Sequence, residues 1–249
     1  MPYQPGDILL EKYRIEKLLG QGAFGEVYLV THLNLHVLRA LKILRRDAPG
    51  VGSSEFNDGK ARFNLEARLG AQLNANEPHP NMLQVYNFEE QGNLLTLEME
   101  YAPGGSLKER LEKLKDIGEQ MPVAEALQIA REIASGLAAL HERDIVHRDL
   151  KPGNILFDAQ SRARLADLGL AQVSGGPSMR SQLSSPQPHP GTPGYMSPEQ
   201  EISGSYLTPA SDVYALGTVL FEMLTGRLYH MRQGSKPSAL RRGISPKLD

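Results

Sequence analysis

The sequence predicts an α+β chain, mainly β in its first part with one helix inserted and mainly helical afterwards. Three observations predict it. From Tyr13 to Met99 short apolar stretches rich in β-branched and aromatic residues are separated by turn-formers. After Met99 the apolar residues recur at three- and four-residue steps instead. Strands grouped ahead of helices, rather than alternating with them, define the α+β class. Its length of 249 residues allows one domain of two lobes or two small domains.

Taken in order, the predicted strands are Glu26-Val27-Tyr28-Leu29-Val30, Ala40-Leu41-Lys42-Ile43-Leu44, Leu83-Gln84-Val85-Tyr86 and Leu94 to Met99. Between the second and third, Lys60 to Asn74 reads as a helix with Phe63, Glu66, Gly70 and Leu73 on one face. Glu66 therefore lies in an otherwise apolar stripe, and a buried carboxylate needs a partner. Glu100-Tyr101-Ala102-Pro103-Gly104-Gly105-Ser106 links the two parts. Pro122 then opens a helix carrying Leu127, Ala130, Ile133, Leu137 and Leu140. A second long helix spans about Pro209 to Leu224, with Thr208 as cap and Gly226 as stop. Two segments read as loops. Arg45 to Gly59 is rich in Gly, Pro, Ser and Asp, and Gln172 to Thr192 holds six Ser and Thr, four Pro and no acid, so it should be mobile without a partner.

Composition excludes several classes. The formal charge of −2 and the absence of a long basic block argue against nucleic acid or an anionic membrane as partner. The absence of cysteine rules out disulfides and thiolate metal sites. Acids and prolines stand at the N-terminus where a signal peptide needs an apolar run, and no stretch approaches the roughly 20 apolar residues of a membrane span. A cytoplasmic setting is the default expectation.

The chemistry is concentrated in His147-Arg148-Asp149-Leu150-Lys151-Pro152-Gly153-Asn154 and Asp167-Leu168-Gly169. The interval from Asn154 to Asp167 accommodates a short strand, a tight turn and a returning strand that bring the two motifs side by side. Magnesium is a hard cation that prefers carboxylate and amide oxygens, which Asp167 and Asn154 supply. A hydroxyl nucleophile must be oriented and must lose its proton to a carboxylate, for which Asp149 is placed, in chemistry that works by positioning and charge stabilisation. Lys151 can reach the transferring group.

A glycine-rich turn, Gly20-Gln21-Gly22-Ala23-Phe24-Gly25, lies between two strand-like segments, and its glycines let backbone amides approach phosphate oxygens. The same spacing opens dinucleotide-binding folds, but there a helix follows, and here a strand does. Lys42, seventeen residues after Gly25 and flanked by apolar residues, needs an anion. Its candidates are nucleotide phosphates and Glu66.

HRDLKPGN resembles the catalytic loop of eukaryotic-type protein kinases, and GTPGYMSPEQ, from Gly191 on, most resembles bacterial members of the family. DLG resembles their magnesium-binding motif, with Leu168 where Phe is more usual. Gly191-Thr192-Pro193-Gly194-Tyr195-Met196-Ser197-Pro198-Glu199 resembles their substrate-docking segment, with Ser197 replacing Ala. Lys151, the residue that serine/threonine-specific members place after the catalytic aspartate where tyrosine-specific ones usually differ, and this docking segment together separate the chain from kinases of small molecules such as aminoglycosides or choline.

The resemblance implies a protein-kinase-like bilobal fold over residues 1–249, with a β-rich N-lobe to about residue 100 and a helical C-lobe from about 101. It implies ATP and Mg²⁺ as cofactors and protein serine or threonine hydroxyls as acceptors. Leu19 and the glycine turn would cover the nucleotide, Lys42 would pair with Glu66 and hold phosphates, and Val27, Ala40 and Leu156 would enclose the adenine. Met99 would back that pocket, and backbone groups of Glu100 and Ala102 would bond the base. Thr192 would contact Asp149 and Lys151, Asp212 would hold the catalytic loop, and Glu199 would pair with a downstream arginine. Arg148 would receive a phosphate from the segment 172–192, where Ser174, Ser178, Ser181, Ser184 and Ser185 are candidates for autophosphorylation. Measured against the family the chain ends early, at Asp249, so the C-lobe is expected to lack its last helices and Ser238 to Asp249 to be the approach to a helix that does not follow. The alternative to an active kinase is then a kinase-like fragment that binds nucleotide or a protein partner without efficient catalysis.

Overall fold

The computed structural model describes residues 3–22, 25–45, 53–74, 77–173, 191–202 and 205–249. They form two compact units, Met1–Pro78 with Leu83–Ala102 and His79–Met82 with Pro103–Asp249. A boundary near residue 100 does not anticipate that His79–Met82 belongs with the second unit.

The first unit is an antiparallel sheet of β1 (Ile8–Leu9), β2 (Tyr13–Gly22), β3 (Gly25–His32), β4 (Val37–Arg45), β5 (Val85–Gln91) and β6 (Leu94–Met99), with helix α1 (Ser53–Asn74) on one face. The spatial order is β1-β2-β3-β4-β6-β5. Side chains alternate between the faces of a strand, and β4 uses both. Leu41 and Ile43 join Tyr13, Ile15, Tyr28 and Val30 in one apolar cluster. Ala40 and Leu44 join Phe56, Phe63, Leu95, Leu97 and Met99 in another. Lys42 has the parity of Ala40 and Leu44, so it faces α1.

Helix α1 begins seven residues earlier than the periodicity from Lys60 predicts, taking in Ser53 to Gly59, which composition assigns to a loop. Phe56 is the reason: it sits one heptad before Phe63 and is buried in the same cluster, and tertiary burial overrides weak local propensity. Strand β5 starts at Val85 rather than Leu83 and runs on through Asn87, Glu89, Glu90 and Gln91. It is the edge of the sheet, and an edge strand with one solvated face accommodates such residues.

The second unit holds α2 (Leu107–Asp116), α3 (Val123–His141), α4 (Pro209–Thr225) and the one-turn α5 (Pro237–Leu240), with two strand pairs, β7 (Ile145–Val146) with β10 (Gln172–Val173) and β8 (Ile155–Phe157) with β9 (Ala163–Leu165). Helix α3 follows Pro122 and buries Ala126, Ile129, Ile133, Leu137 and Leu140. In α4 the Thr208 hydroxyl accepts from the amide of Ala210 at 3.3 Å, and Gly226, at φ 68°, ends the helix. The left-handed backbone there favours glycine. Helix α2 is absent from the expectation, although Ser106 and Glu109 form a capping box: Ser106 Oγ accepts from Glu109 N at 3.2 Å and Glu109 Oε2 accepts from Ser106 N at 2.7 Å. Gln172 and Val173, expected to start a loop, pair with Val146 and Ile145.

In the stretch Ser238 to Asp249, Asp249 accepts from the Ser238 amide at 2.9 Å and hydroxyl at 2.7 Å. Pro237 and Ile244 are buried, and Arg241 donates to the carbonyls of Met121 (2.7 Å) and Leu224 (2.9 Å).

Candidate active site

In the second unit, strand β7 delivers the chain to His147. The amides of His147 and Arg148 donate to Asp212 Oδ2 and Oδ1 at 2.8 and 2.9 Å, and His141 Nε2 donates to Oδ2 at 2.8 Å. Asp212, in the first turn of α4, is 1% exposed. Arg148 sits at φ 72°, a conformation that costs a non-glycine residue about 1–2 kcal/mol. The two bonds from Asp212 hold it there, and Gln200 Nε2 adds a third at 2.8 Å to the Arg148 carbonyl. The His147 ring accepts from the Asp149 amide at Nδ1 (3.3 Å), so its proton is on Nε2, directed at the Ala166 carbonyl at 3.1 Å.

This scaffold fixes a tight polar group. Thr192 Oγ1 donates to Asp149 Oδ1 at 2.6 Å and accepts from Lys151 Nζ at 2.8 Å, while Lys151 Nζ also donates to Asp149 Oδ2 at 2.7 Å. Asn154 Nδ2 donates to the Asp149 carbonyl at 2.8 Å and to Oδ2 at 3.2 Å. An aliphatic hydroxyl thus already bonds the Asp149 carboxylate with an ammonium at its side. Such an arrangement can draw a hydroxyl proton and neutralise charge developing nearby.

The β8–β9 hairpin brings Asp167 next to Asn154, with the Ala166 amide donating to the Asn154 carbonyl at 2.9 Å. Asp167 sits at φ 65°, and its Oδ1 accepts from the Gly169 amide at 3.4 Å. Asn154 Nδ2 is engaged by Asp149, and among the described residues nothing bonds Asn154 Oδ1. An amide oxygen beside a carboxylate fits magnesium, which keeps several waters and binds through few protein groups plus phosphate oxygens. Leu156, also implied by the resemblance, is half-buried in β8, and Leu168 is buried.

In the first unit, Lys42 Nζ lies 2.7 Å from Glu66 Oε2 and 5.5 Å from the centre of the Phe63 ring. Glu66 is 3% exposed, and a buried carboxylate of this kind is stable only when paired. Val27 stands opposite Lys42 across β3 and β4, and Ala40 opposite Met99 across β4 and β6. The β2–β3 hairpin pairs Gly20 with Val27, Gln21 with Glu26 and Gly22 with Gly25. Gly25 has φ 117°, and a Cβ there would lie 2.2 Å from the Ile43 carbonyl oxygen. Gly20 and Gly22 face open space, and Leu19 is exposed. Ala23 and Phe24 lie outside the described residues. Gln84 O takes the Glu100 amide at 2.9 Å, whereas among the described residues nothing bonds the amide or carbonyl of Ala102.

Several contributors escape the motifs. Gln200 is 1% exposed and, besides its bond to Arg148, accepts from the Ser197 amide at 3.1 Å. The S-x-x-Q spacing from Ser197 is its sequence signal. Tyr195 donates to Glu222 Oε2 at 2.6 Å. Burial and the neighbouring Glu222 push the Tyr195 phenol well above its usual range, and burial raises Glu222, partly offset by the tyrosine hydroxyl. Glu199 differs from expectation. It accepts from the Ser211 hydroxyl at 2.6 Å, and among the described residues no arginine reaches it. Burial pushes its carboxyl up, but the hydroxyl and backbone donors around it hold it below the usual carboxylate range.

The second unit thus holds a loop clamped from a following helix and a hydroxyl between an aspartate and a lysine, and the first holds a strand lysine paired with a helix glutamate. Residues 13–244 match the family model described as protein kinase domain, and the chain belongs to that family. Within it the chain is similar to serine/threonine-protein kinase pkn2 of Myxococcus xanthus, 37% identical over 229 residues (90% of this chain, 26% of that protein). It is 36% identical to serine/threonine-protein kinase PrkC of Bacillus subtilis over 217 residues (87% and 31%) and 32% identical to PknB of Mycobacterium leprae over 258 residues (97% and 39%). The chain thus spans roughly a quarter to two-fifths of the length of these relatives. No helix among the described residues is long and apolar enough to cross a membrane.

Proposed function

We propose that this chain transfers the terminal phosphoryl group of ATP to serine or threonine hydroxyls of proteins, with Mg²⁺ as the accompanying ion. The observation that carries the proposal is the Thr192 hydroxyl held between Asp149 and Lys151, an image of how a substrate hydroxyl is met. Asp149 orients the acceptor and takes its proton as the oxygen bonds the γ-phosphorus. The bond from that phosphorus to the β–γ bridging oxygen breaks, and ADP departs. Lys151 offsets charge on the transferring group, and Lys42, kept in place by Glu66, holds the phosphates. Asn154 and Asp167 would hold the magnesium, which would supply charge neutralisation at the phosphates.

Amides of Gly20, Gly22 and Gly25 cover the phosphates. Val27, Ala40 and Met99 line the adenine from the first unit, with backbone groups of Glu100 and Ala102 at its edge. A cytoplasmic setting goes with ATP as donor. Ser174, Ser178, Ser181, Ser184 and Ser185, proposed targets of autophosphorylation whose phosphate Arg148 would receive, lie outside the described residues.

The test is transfer of radiolabelled phosphate from ATP to a generic basic protein and to the chain itself, comparing the parent with Asp149→Asn and Lys42→Met. Label in the parent and its loss in both variants is expected. Label that persists in both overturns the assignment of these residues, and nucleotide-dependent melting without any transfer favours a binding fragment.

A further inference from the structure

A groove of about 1110 Å³ in the second unit begins at Lys151 and Thr192 and runs between α2 and residues 226–232. It is continuous with the point at which the proposed acceptor hydroxyl is held, so a substrate chain entering that point must lie along it. Its charges are not balanced. Among those lining it, Lys108 pairs with Glu112 at 3.8 Å and Lys151 with Asp149, and Glu222 at the floor is engaged by Tyr195. What remains is Lys115, Arg227 and Arg232 against Glu119, all exposed, and among the described residues none of the three cations has an ion pair. This surplus of positive charge occurs on a chain whose formal charge is −2.

From this we infer that the groove selects substrates with acidic side chains beside the acceptor serine or threonine, the carboxylates meeting Lys115, Arg227 and Arg232. A basic side chain there meets three cations. The acid best placed for it, Glu222, accepts from the Tyr195 hydroxyl at 2.6 Å, and burial raises its affinity for a proton. Exposed pairs contribute little singly, but several converging on one peptide give a preference of about tenfold at low salt, declining as salt screens them. The inference rests on the proposed kinase function.

The test uses the 249-residue chain with ATP and magnesium and a peptide set in which one acceptor serine is flanked, position by position, by Asp, Glu, phosphoserine, Ala or Arg. The expected result is kcat/KM about tenfold higher for Asp or Glu than for Arg on the flank that occupies the groove, mainly through KM. The triple variant Lys115→Glu, Arg227→Glu, Arg232→Glu is expected to prefer the Arg peptide, a gain that misfolding cannot produce. Equal use of acidic and basic peptides by the parent, or a preference unchanged in the variant, overturns the inference. Phosphoserine far ahead of Asp and Glu also overturns it, pointing to a phosphate pocket instead. Fluorescence anisotropy with the same peptides separates the two readings if nothing is phosphorylated. Tighter binding of the acidic peptide then upholds the groove and removes the kinase function, and equal binding removes both.

Discussion

Replacing Asp212 with asparagine tests the link between scaffold and chemistry. The carboxylate accepts from His147 N, Arg148 N and His141 Nε2 at 2.8, 2.9 and 2.8 Å. An amide of the same shape offers one acceptor oxygen and turns its NH₂ toward the remaining donors. At least one buried N–H is left unpaired, costing about 1–3 kcal/mol, and the surviving bond loses the strength of an ionised acceptor. Together these amount to about 3 kcal/mol, a large share of a stability on the order of 5–15 kcal/mol. For a chain of this size Tm is expected to fall by about 6–12 °C. The left-handed backbone at Arg148, with about 1–2 kcal/mol to release, then relaxes and moves Asp149. Because about 1.4 kcal/mol on the barrier is tenfold in rate, kcat is expected to drop at least about tenfold at a temperature where the variant is folded. Differential scanning calorimetry and phosphate transfer measure the two effects. Val213→Asn, at the next position but 60% exposed, serves as control and should stay within about 0.5 kcal/mol. If Asp212→Asn melted with the parent and retained its kcat, the clamp would have no role in holding the loop.

Three further predictions follow from other sites. Gly25→Ala drives a Cβ to 2.2 Å from the Ile43 carbonyl oxygen at φ 117° and should lower stability by more than about 2 kcal/mol and raise the KM for ATP. Gly20→Ala, facing open space, should leave the urea midpoint nearly unchanged. Tyr195→Phe removes the donor to Glu222 and should cost about 1–2 kcal/mol near pH 8. Burial raises the folded Glu222 pKa above its ordinary 4.5, so its contribution to stability declines as pH rises from 4.5 through the folded value. The variant extends that decline, and its deficit should shrink toward pH 4; a deficit independent of pH would exclude Glu222 as the partner that matters. Asp158→Asn strands the buried Arg164 guanidinium, bonded at 2.9 Å, and should cost about 3–5 kcal/mol at neutral pH. Burial pushes Asp158 up, but the Arg162 backbone and the Arg164 and Arg162 guanidiniums outweigh it and hold its pKa below 3.8. Its stabilisation is therefore complete above 3.8 and lost as pH falls through the lower folded value, so the difference between parent and variant should shrink as pH falls below 3.8 in chemical denaturation.

Much of this protein is decided by its sequence alone. Strand and helix periods follow from residue spacing, which is why β6, α3 and α4 emerge close to their predicted bounds. The motifs around Asp149, Asn154 and Asp167 can be found because each residue type has one chemical use at that offset, and the family assignment follows from them. Glu66 was marked by a local contradiction, an acid in an apolar stripe, and Lys42 by the mirror of it.

What sequence could not decide is long-range. The early start of α1 depends on Phe56 reaching a cluster assembled from β4 and β6, and β10 on pairing with β7 across the hairpin. Gln200 acts through a bond to backbone 52 residues away, and a backbone partner has no side chain by which sequence could reveal it; Asp212, 64 or more residues from the backbone it holds, is reached from sequence only through the family resemblance. The cation surplus of the groove is equally tertiary, since Lys115 and Arg232 become neighbours only when α2 and the chain after α4 line the same surface. Local pattern determines which elements and which chemical groups exist. Their alignment to within a hydrogen bond is decided by the packing that buries them.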